Sequence, residues 1–170
     1  MPTNFSIFTT LLAFLFVCTI FDLRDRNVPM YLTISGLAAS GMLALLHGFW
    51  ASVLLTIAII LASDIANSSR RLILVSAIFS MSAFLHPGEI PLCAGITLAW
   101  TLWEFDAMGG ADVKLLIASL LTLGSPQVLI PIAVAGGIQG VIAALRKKKE
   151  IPFVLSIFFG TLLFLAAPNI

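Results

Sequence analysis

Residues 5–29 read FSIFTTLLAFLFVCTIFDLRDRNVP, an unbroken apolar run that stops at an aspartate, two arginines and a proline. The run is about as long as a bilayer core requires of a helix, roughly 17–25 residues. It does not alternate with period two, as a membrane β-strand would. The same pattern recurs along the chain. Further apolar runs lie at about 30–47, 50–66, 72–86, 89–105, 113–124, 127–145 and 151–168. The breaks between them are short: DLRDRNVP, HGF, SDIANSSRR, HPGE, FDAMGGAD, GSPQ and RKKKE. They leave no room for a second domain, so residues 1–170 form a single membrane-embedded domain. Composition agrees, since the 170 residues are 60% hydrophobic and 10% charged, where a soluble domain carries roughly 25% charged residues. This excludes an ordinary soluble domain, a disordered chain and a disulfide scaffold. The expectation is an all-α, polytopic transmembrane bundle of about eight helices. The run at 113–124 is too short to span alone, so its helix must take in flanking residues or sit deep in the bundle. No Lys or Arg precedes the first run and no small-x-small site follows it, so it reads as a retained helix rather than a removable signal.

The basic residues fix an orientation. Arg24 and Arg26 lie in the first break, Arg70 and Arg71 in the third, Lys114 beside the fifth, and Arg146, Lys147, Lys148 and Lys149 in the seventh. These are all 9 Lys and Arg of the chain; the even-numbered breaks hold none. Basic loops stay on the cytoplasmic side, so the odd breaks are read as cytoplasmic and both termini as external, in a multi-pass protein whose partner is the lipid bilayer. A net charge of +1 offers nothing to nucleic acid. The cysteines, Cys18 and Cys93, form no metal-binding spacing, and they fall near opposite faces, too far apart for a disulfide. Gly136 and Gly140 form a GxxxG step, a helix-packing signal. Trp50 near the outer face, and Trp100 and Trp103 toward the inner one, read as interfacial anchors.

Acids at membrane depth are costly and mark function. Asp22, Asp25, Asp64, Glu104, Asp106, Asp112 and Glu150 fall on the cytoplasmic side, and Glu89 alone on the other. Asp22 follows the first helix and Asp112 opens the sixth, so both belong to one face. Two such carboxylates can share a proton, the ionised one activating water and the protonated one polarising a carbonyl. Gly109 and Gly110 would allow close backbone approach beside Asp112. The plainer alternatives are an N-cap role for Asp112 and a surface pairing of Asp22 with Arg24 or Arg26. A helix C-terminus disfavours an anion and an N-terminus favours one, which assigns the shared proton to Asp22 and the charge to Asp112.

Three stretches resemble the type IV prepilin peptidases, whose small peptidase-only branch includes tight-adherence pilus enzymes and is similar to archaeal preflagellin peptidases. Asp22-Leu-Arg-Asp-Arg-Asn-Val-Pro29 is similar to their first aspartate motif. Gly109-Gly110-Ala111-Asp112, followed by Val113-Lys114-Leu115, resembles their GxGD motif. The stretch RKKKEIPF at 146–153 resembles the basic loop that opens their last helix. Ala111 stands where glycine is usual, and the distance from Asp22 to Asp112 is long, as an extra helix pair would make it. The resemblance implies an aspartic endopeptidase of the cytoplasmic membrane that removes the basic leader of a prepilin or preflagellin-like protein. Its dyad would be Asp22 and Asp112, and it needs no metal or cofactor. The cysteine-rich segment associated with N-methylation in larger relatives is absent from the sequence, so methyl transfer is not expected. Gly109, Gly110, Ala111, Asp25, Asp64, Glu104 and Asp106 are the residues expected to line the site or attract the leader. The competing expectations are a small carrier or channel component and a non-catalytic assembly subunit.

Overall fold

The computed structural model describes residues 2–63, 65, 67–146 and 152–167. Asp64, Lys147, Lys148, Lys149 and Glu150 lie outside the described residues. The described residues form eight α-helices and no strand: α1 (Pro2–Asp25), α2 (Met30–Leu46), α3 (Trp50–Ala62), α4 (Ser68–Leu85), α5 (Ile90–Glu104), α6 (Gly110–Leu123), α7 (Leu129–Leu145) and α8 (Phe153–Ala166). Each expected run carries a helix. Single 3-10 turns at Pro87–Glu89 and Pro126–Val128 lead into α5 and α7. Three segments are long and apolar enough to cross a membrane: Phe5–Asp25, Ser68–Leu85 and Pro126–Leu145.

The helix boundaries follow local chemistry. α1 continues past the apolar run to Asp25, so Asp22 lies inside the helix rather than after it. It ends where Arg26 turns left-handed, at φ 53, and its N–H returns to the Asp22 carbonyl at 3.1 Å. α3 stops at Ala62, four residues short of its apolar run. Asn67 then caps α4, its side chain accepting from the Arg70 N–H at 3.2 Å, so Arg70 and Arg71 sit in a first helical turn rather than in a loop. α6 ends at Gly124, whose φ of +60 and bare Cα let the Phe49 ring press against the chain.

α6 is the centre of the bundle. Nine of its side chains, from Val113 to Thr122, are buried, and it touches α1, α2, α3, α5 and α8. At 1.5 Å per residue its 14 residues reach about 21 Å. Around it the helices alternate in direction. At one end of the bundle Glu104 of α5 meets Arg71 of α4, and Trp103 meets Gly110. At the other, Phe49 meets Gly124, and Thr122 meets Ser40 of α2 through hydroxyls 2.9 Å apart. α7 and α8 pack most closely at Gly160, where any side chain would run into the Ile132 backbone, and at Gly136, which faces the Phe153 ring. Gly136 thus has the packing role that the GxxxG step implies. The outside of the bundle is apolar, with Leu54, Ile73, Phe84, Val141 and Leu163 all exposed.

Glu89, the acid set apart from the others, is only 7% exposed. Its carboxylate accepts from the Ser52 N–H at 2.9 Å, the Ser52 hydroxyl at 2.7 Å and the Ala51 N–H at 3.3 Å. It therefore caps the N-terminus of α3, where a negative charge offsets the helix dipole and satisfies free N–H groups. Glu89→Ala leaves those donors unpaired in a dry site and should cost about 1–3 kcal/mol. Thermal unfolding of the detergent-solubilised protein would show this as a lowered midpoint, with Glu89→Gln intermediate.

Candidate active site

The residues that sequence singles out meet where α1, α6 and α8 converge. These three helices are in mutual contact, and the C-terminal turns of α1 face the N-terminal turns of α6 and α8. The Asp22 side chain is buried, with residue exposure of 9%. Its Oδ2 has no hydrogen-bond partner among the described residues, an exception among buried polar atoms. Around it stand the Val154 N–H, in the first turn of α8, and the Arg26 guanidinium. The residue that follows the stretch resembling the opening of the last helix thus supplies a backbone donor to the first aspartate.

Asp112 is the third residue of α6, ahead of the helix's apolar stretch. It is not the N-cap: that position belongs to Gly109, at φ −66 and ψ 147, with no side-chain cap bond. The carboxylate folds back toward Gly109, where an added Cβ would lie 3.0 Å from Asp112 Oδ2. Gly109 is therefore small because the Asp112 carboxylate occupies that space. Gly110 is shaped by Trp103, whose Nε1 would be 3.4 Å from a Cβ there. Ala111 follows within α6, and none of the positive-φ residues, Arg26, Gly48, Asp106 and Gly124, falls in this motif. The methyl of Ala111 in place of glycine therefore meets no backbone strain.

Burial pushes the Asp112 carboxyl up to about 6 from 3.8, and the neighbouring Asp22 carboxylate adds to the rise against a smaller pull from the Gly109 backbone. The two aspartates therefore feel one another's charge, and they titrate as a unit. Asp22 stands at two helix ends, the C-terminus of α1 and the N-terminus of α8, where the sequence expectation gave it one.

The other expected site residues separate from this pair. Asp25 is exposed, with Arg24 Nε 3.8 Å away, a pairing worth little in solvent. Glu104 accepts from Arg71 at 2.8 Å and from the Ser68 hydroxyl at 2.6 Å, so its charge is matched inside the bundle and ties α4 to α5. Asp106 is exposed and left-handed, at φ 54. With it, the Ala107 N–H returns to the Leu102 carbonyl at 2.8 Å, which makes Asp106 the terminating residue of α5. Asp64 lies outside the described residues. Cys18, one turn before Asp22, is fully buried in the apolar core. Both cysteines are free. Trp100 is 2% exposed and so is a core residue, not an interfacial anchor. Among the described residues no three His, Cys, Asp or Glu side chains converge to hold a metal. On the side of α6 away from Asp112, Gly110 and Lys114 border an apolar cavity of about 630 Å³.

The raised Asp112 carboxyl has a stability consequence. The folded protein keeps that proton to about pH 6, whereas the unfolded chain releases it near 3.8. The native state binds the proton more tightly, so the benefit is complete below 3.8 and is lost as pH rises through 6. Asp112→Asn, which mimics the protonated form, should raise the unfolding midpoint at pH 8. The gain should shrink toward zero as pH is lowered to 4. A gain independent of pH would show that the carboxyl is not perturbed.

No family model, no curated protein and no solved structure matches the chain, so the reading of this site rests on its own residues.

Proposed function

We propose that this chain is a multi-pass aspartic endopeptidase of the cytoplasmic membrane, acting at the face that carries the basic breaks. The observation that carries the reading is the mutual influence of Asp22 and Asp112, brought from the first and sixth helices to one end of the bundle. Two carboxylates that share a proton in a dry setting are the minimal equipment for hydrolysing a peptide without a metal. In this mechanism Asp22, ionised and with an unpartnered Oδ2, takes a proton from water as the oxygen attacks the scissile carbonyl. Protonated Asp112 donates to the carbonyl oxygen as it gains charge. The proton taken by Asp22 then passes to the leaving amine, and the peptide C–N bond breaks.

Membrane placement rests on the three spanning-length helices, the apolar exterior and the one-sided distribution of Lys and Arg. The substrate class follows from the three motif resemblances: a prepilin or preflagellin-like protein with a short basic leader ahead of an apolar helix, cut at their junction. Of the acids first read as a leader-attracting rim, Asp25 and Asp106 are exposed on this face. Glu104 is withdrawn from that role by Arg71.

The decisive test mixes the purified protein in vesicles with a prepilin-like substrate and weighs the products. Wild type should release the leader. Asp22→Asn and Asp112→Asn should each lower the rate by roughly 10²–10⁴-fold, the range for general acid–base groups, while remaining folded by circular dichroism. Cleavage that survives either substitution would sink the aspartic mechanism. Wild-type rate against pH should rise and then fall, because only the singly protonated pair is active.

A further inference from the structure

The cavity on the far side of α6 has its own chemistry. It lies between α2 and α3, with α5 and α6 as its floor, and is bordered along α2 from Met30 to Leu45, a length of about 22 Å. Its volume is about 630 Å³. An extended hydrocarbon chain, roughly 4–5 Å across by carbon van der Waals spacing, takes about 350 Å³ over that length. The cavity therefore suits one or two acyl chains.

Two polar groups in its lining are without partners among the described residues. Lys114 is the one charged side chain there. It lies one turn into α6, at the end of the bundle where the basic breaks lie. The ion pairs among the described residues are Arg24–Asp25 and Arg71–Glu104, and Lys114 belongs to neither. The second is Trp100, whose Nε1 is buried without an acceptor although the residue borders the cavity. The two hydroxyls of the lining do not compete for a ligand's acceptors, since Thr56 donates to the Ser52 carbonyl at 2.9 Å and Ser63 to the Ile60 carbonyl at 2.6 Å. A buried N–H without an acceptor is costly. A neighbouring helix in lipid has no backbone carbonyl to spare, because its own helix uses them. A glycerophospholipid has ester carbonyls just below its phosphate.

We infer that this cavity is a binding site for an anionic phospholipid. The headgroup phosphate sits on Lys114, an ester carbonyl accepts from Trp100 Nε1, and the acyl chains run between α2 and α3. The inference rests on the membrane placement proposed above and is independent of peptidase activity.

Tryptophan quenching by brominated lipid tests it. The full chain carrying Trp50→Phe, which leaves Trp100 and Trp103 as reporters, is reconstituted in phosphatidylcholine vesicles. These contain an equal minor fraction of chain-brominated phosphatidylglycerol or chain-brominated phosphatidylcholine. The anionic lipid should quench with about fivefold higher relative affinity, the factor expected from one basic residue facing an anionic headgroup. Lys114→Gln should bring the preference to parity and Lys114→Arg should keep it. Gly41→Phe, whose side chain starts in open space within the lining, should reduce quenching by both lipids. Equal quenching by both lipids in the Trp50→Phe protein would mean ordinary boundary lipid and overturn the site. So would a preference that survives Lys114→Gln, or no quenching by either lipid, as when a partner protein fills the groove. Flotation of the vesicles is scored separately: protein that fails to float with them overturns the membrane placement and this site with it, whatever becomes of the carboxylate pair.

Discussion

The enclosure of α6 is the constraint on which the rest of this structure depends. Nine of its 14 residues are buried among five neighbouring helices, so its free N–H and C=O groups must be satisfied or shielded from within the bundle. The two ends differ in how this is done. At its C-terminus Gly124 turns left-handed and returns its N–H to the Leu120 carbonyl at 2.9 Å, closing the helix on itself. At its N-terminus no side chain from the cap position helps. The third residue, Asp112, bends back toward Gly109 instead. The same enclosure that demands a local solution at this end also strips solvent from the carboxylate that provides it. An acid put there for capping alone would be expected to keep an ordinary affinity for its proton, through bonds to backbone N–H groups. The nearby Asp22 charge works in the opposite direction, and a second acid is a poor choice of neighbour if stability were the only demand.

Much of this was legible in the sequence because lipid-facing and core-facing helices are both apolar, and short polar breaks delimit either kind. All eight runs became helices, and the alternation of basic and non-basic breaks matches the alternation of helix directions. The sequence was silent where two helices solve a problem jointly. Asp22 looked like a residue at one helix end, and nothing local says that the first turn of α8 will stand over it. Trp100 looked like an anchor, because an indole near the end of an apolar run is the same string of letters whether it faces lipid or core. Glu89 was set aside as a lone outer acid, yet a signal was there. It lies at the same end as the start of α3, and a helix beginning Trp-Ala-Ser after a glycine turn has free N–H groups and no acid of its own.

The inner acids teach the complementary lesson. A rim of carboxylates looks uniform in sequence, and side-chain chemistry divides it into separate roles. Glu104 is paired with Arg71 and fixes the angle between α4 and α5. Asp106 is used for its tolerance of the left-handed conformation, which lets α5 end five residues before α6 begins. Asp25 is free in solvent. Only Asp22 and Asp112 feel one another's charge, and Asp22 adds a buried oxygen without a partner among the described residues. Charge counting alone would have ranked all five alike.

Asp112 and Lys114 are two residues apart, about 200° around one helix, and therefore look out from opposite sides of α6. One faces the carboxylate pair with α1 and α8. The other faces the groove with α2 and α3. Because α6 is packed on every side, it cannot rotate to favour one face without repacking against five neighbours, and dense interiors resist such shifts. An occupant in the groove would therefore act on α6 as a wedge along its length, setting how far the Gly110 end can move from Trp103. The first turn of α6 carries Asp112, and Gly110 in that same turn borders the groove. α6 thus has the groove on one side and the aspartate pair on the other, with only the rigid packing of one helix between them.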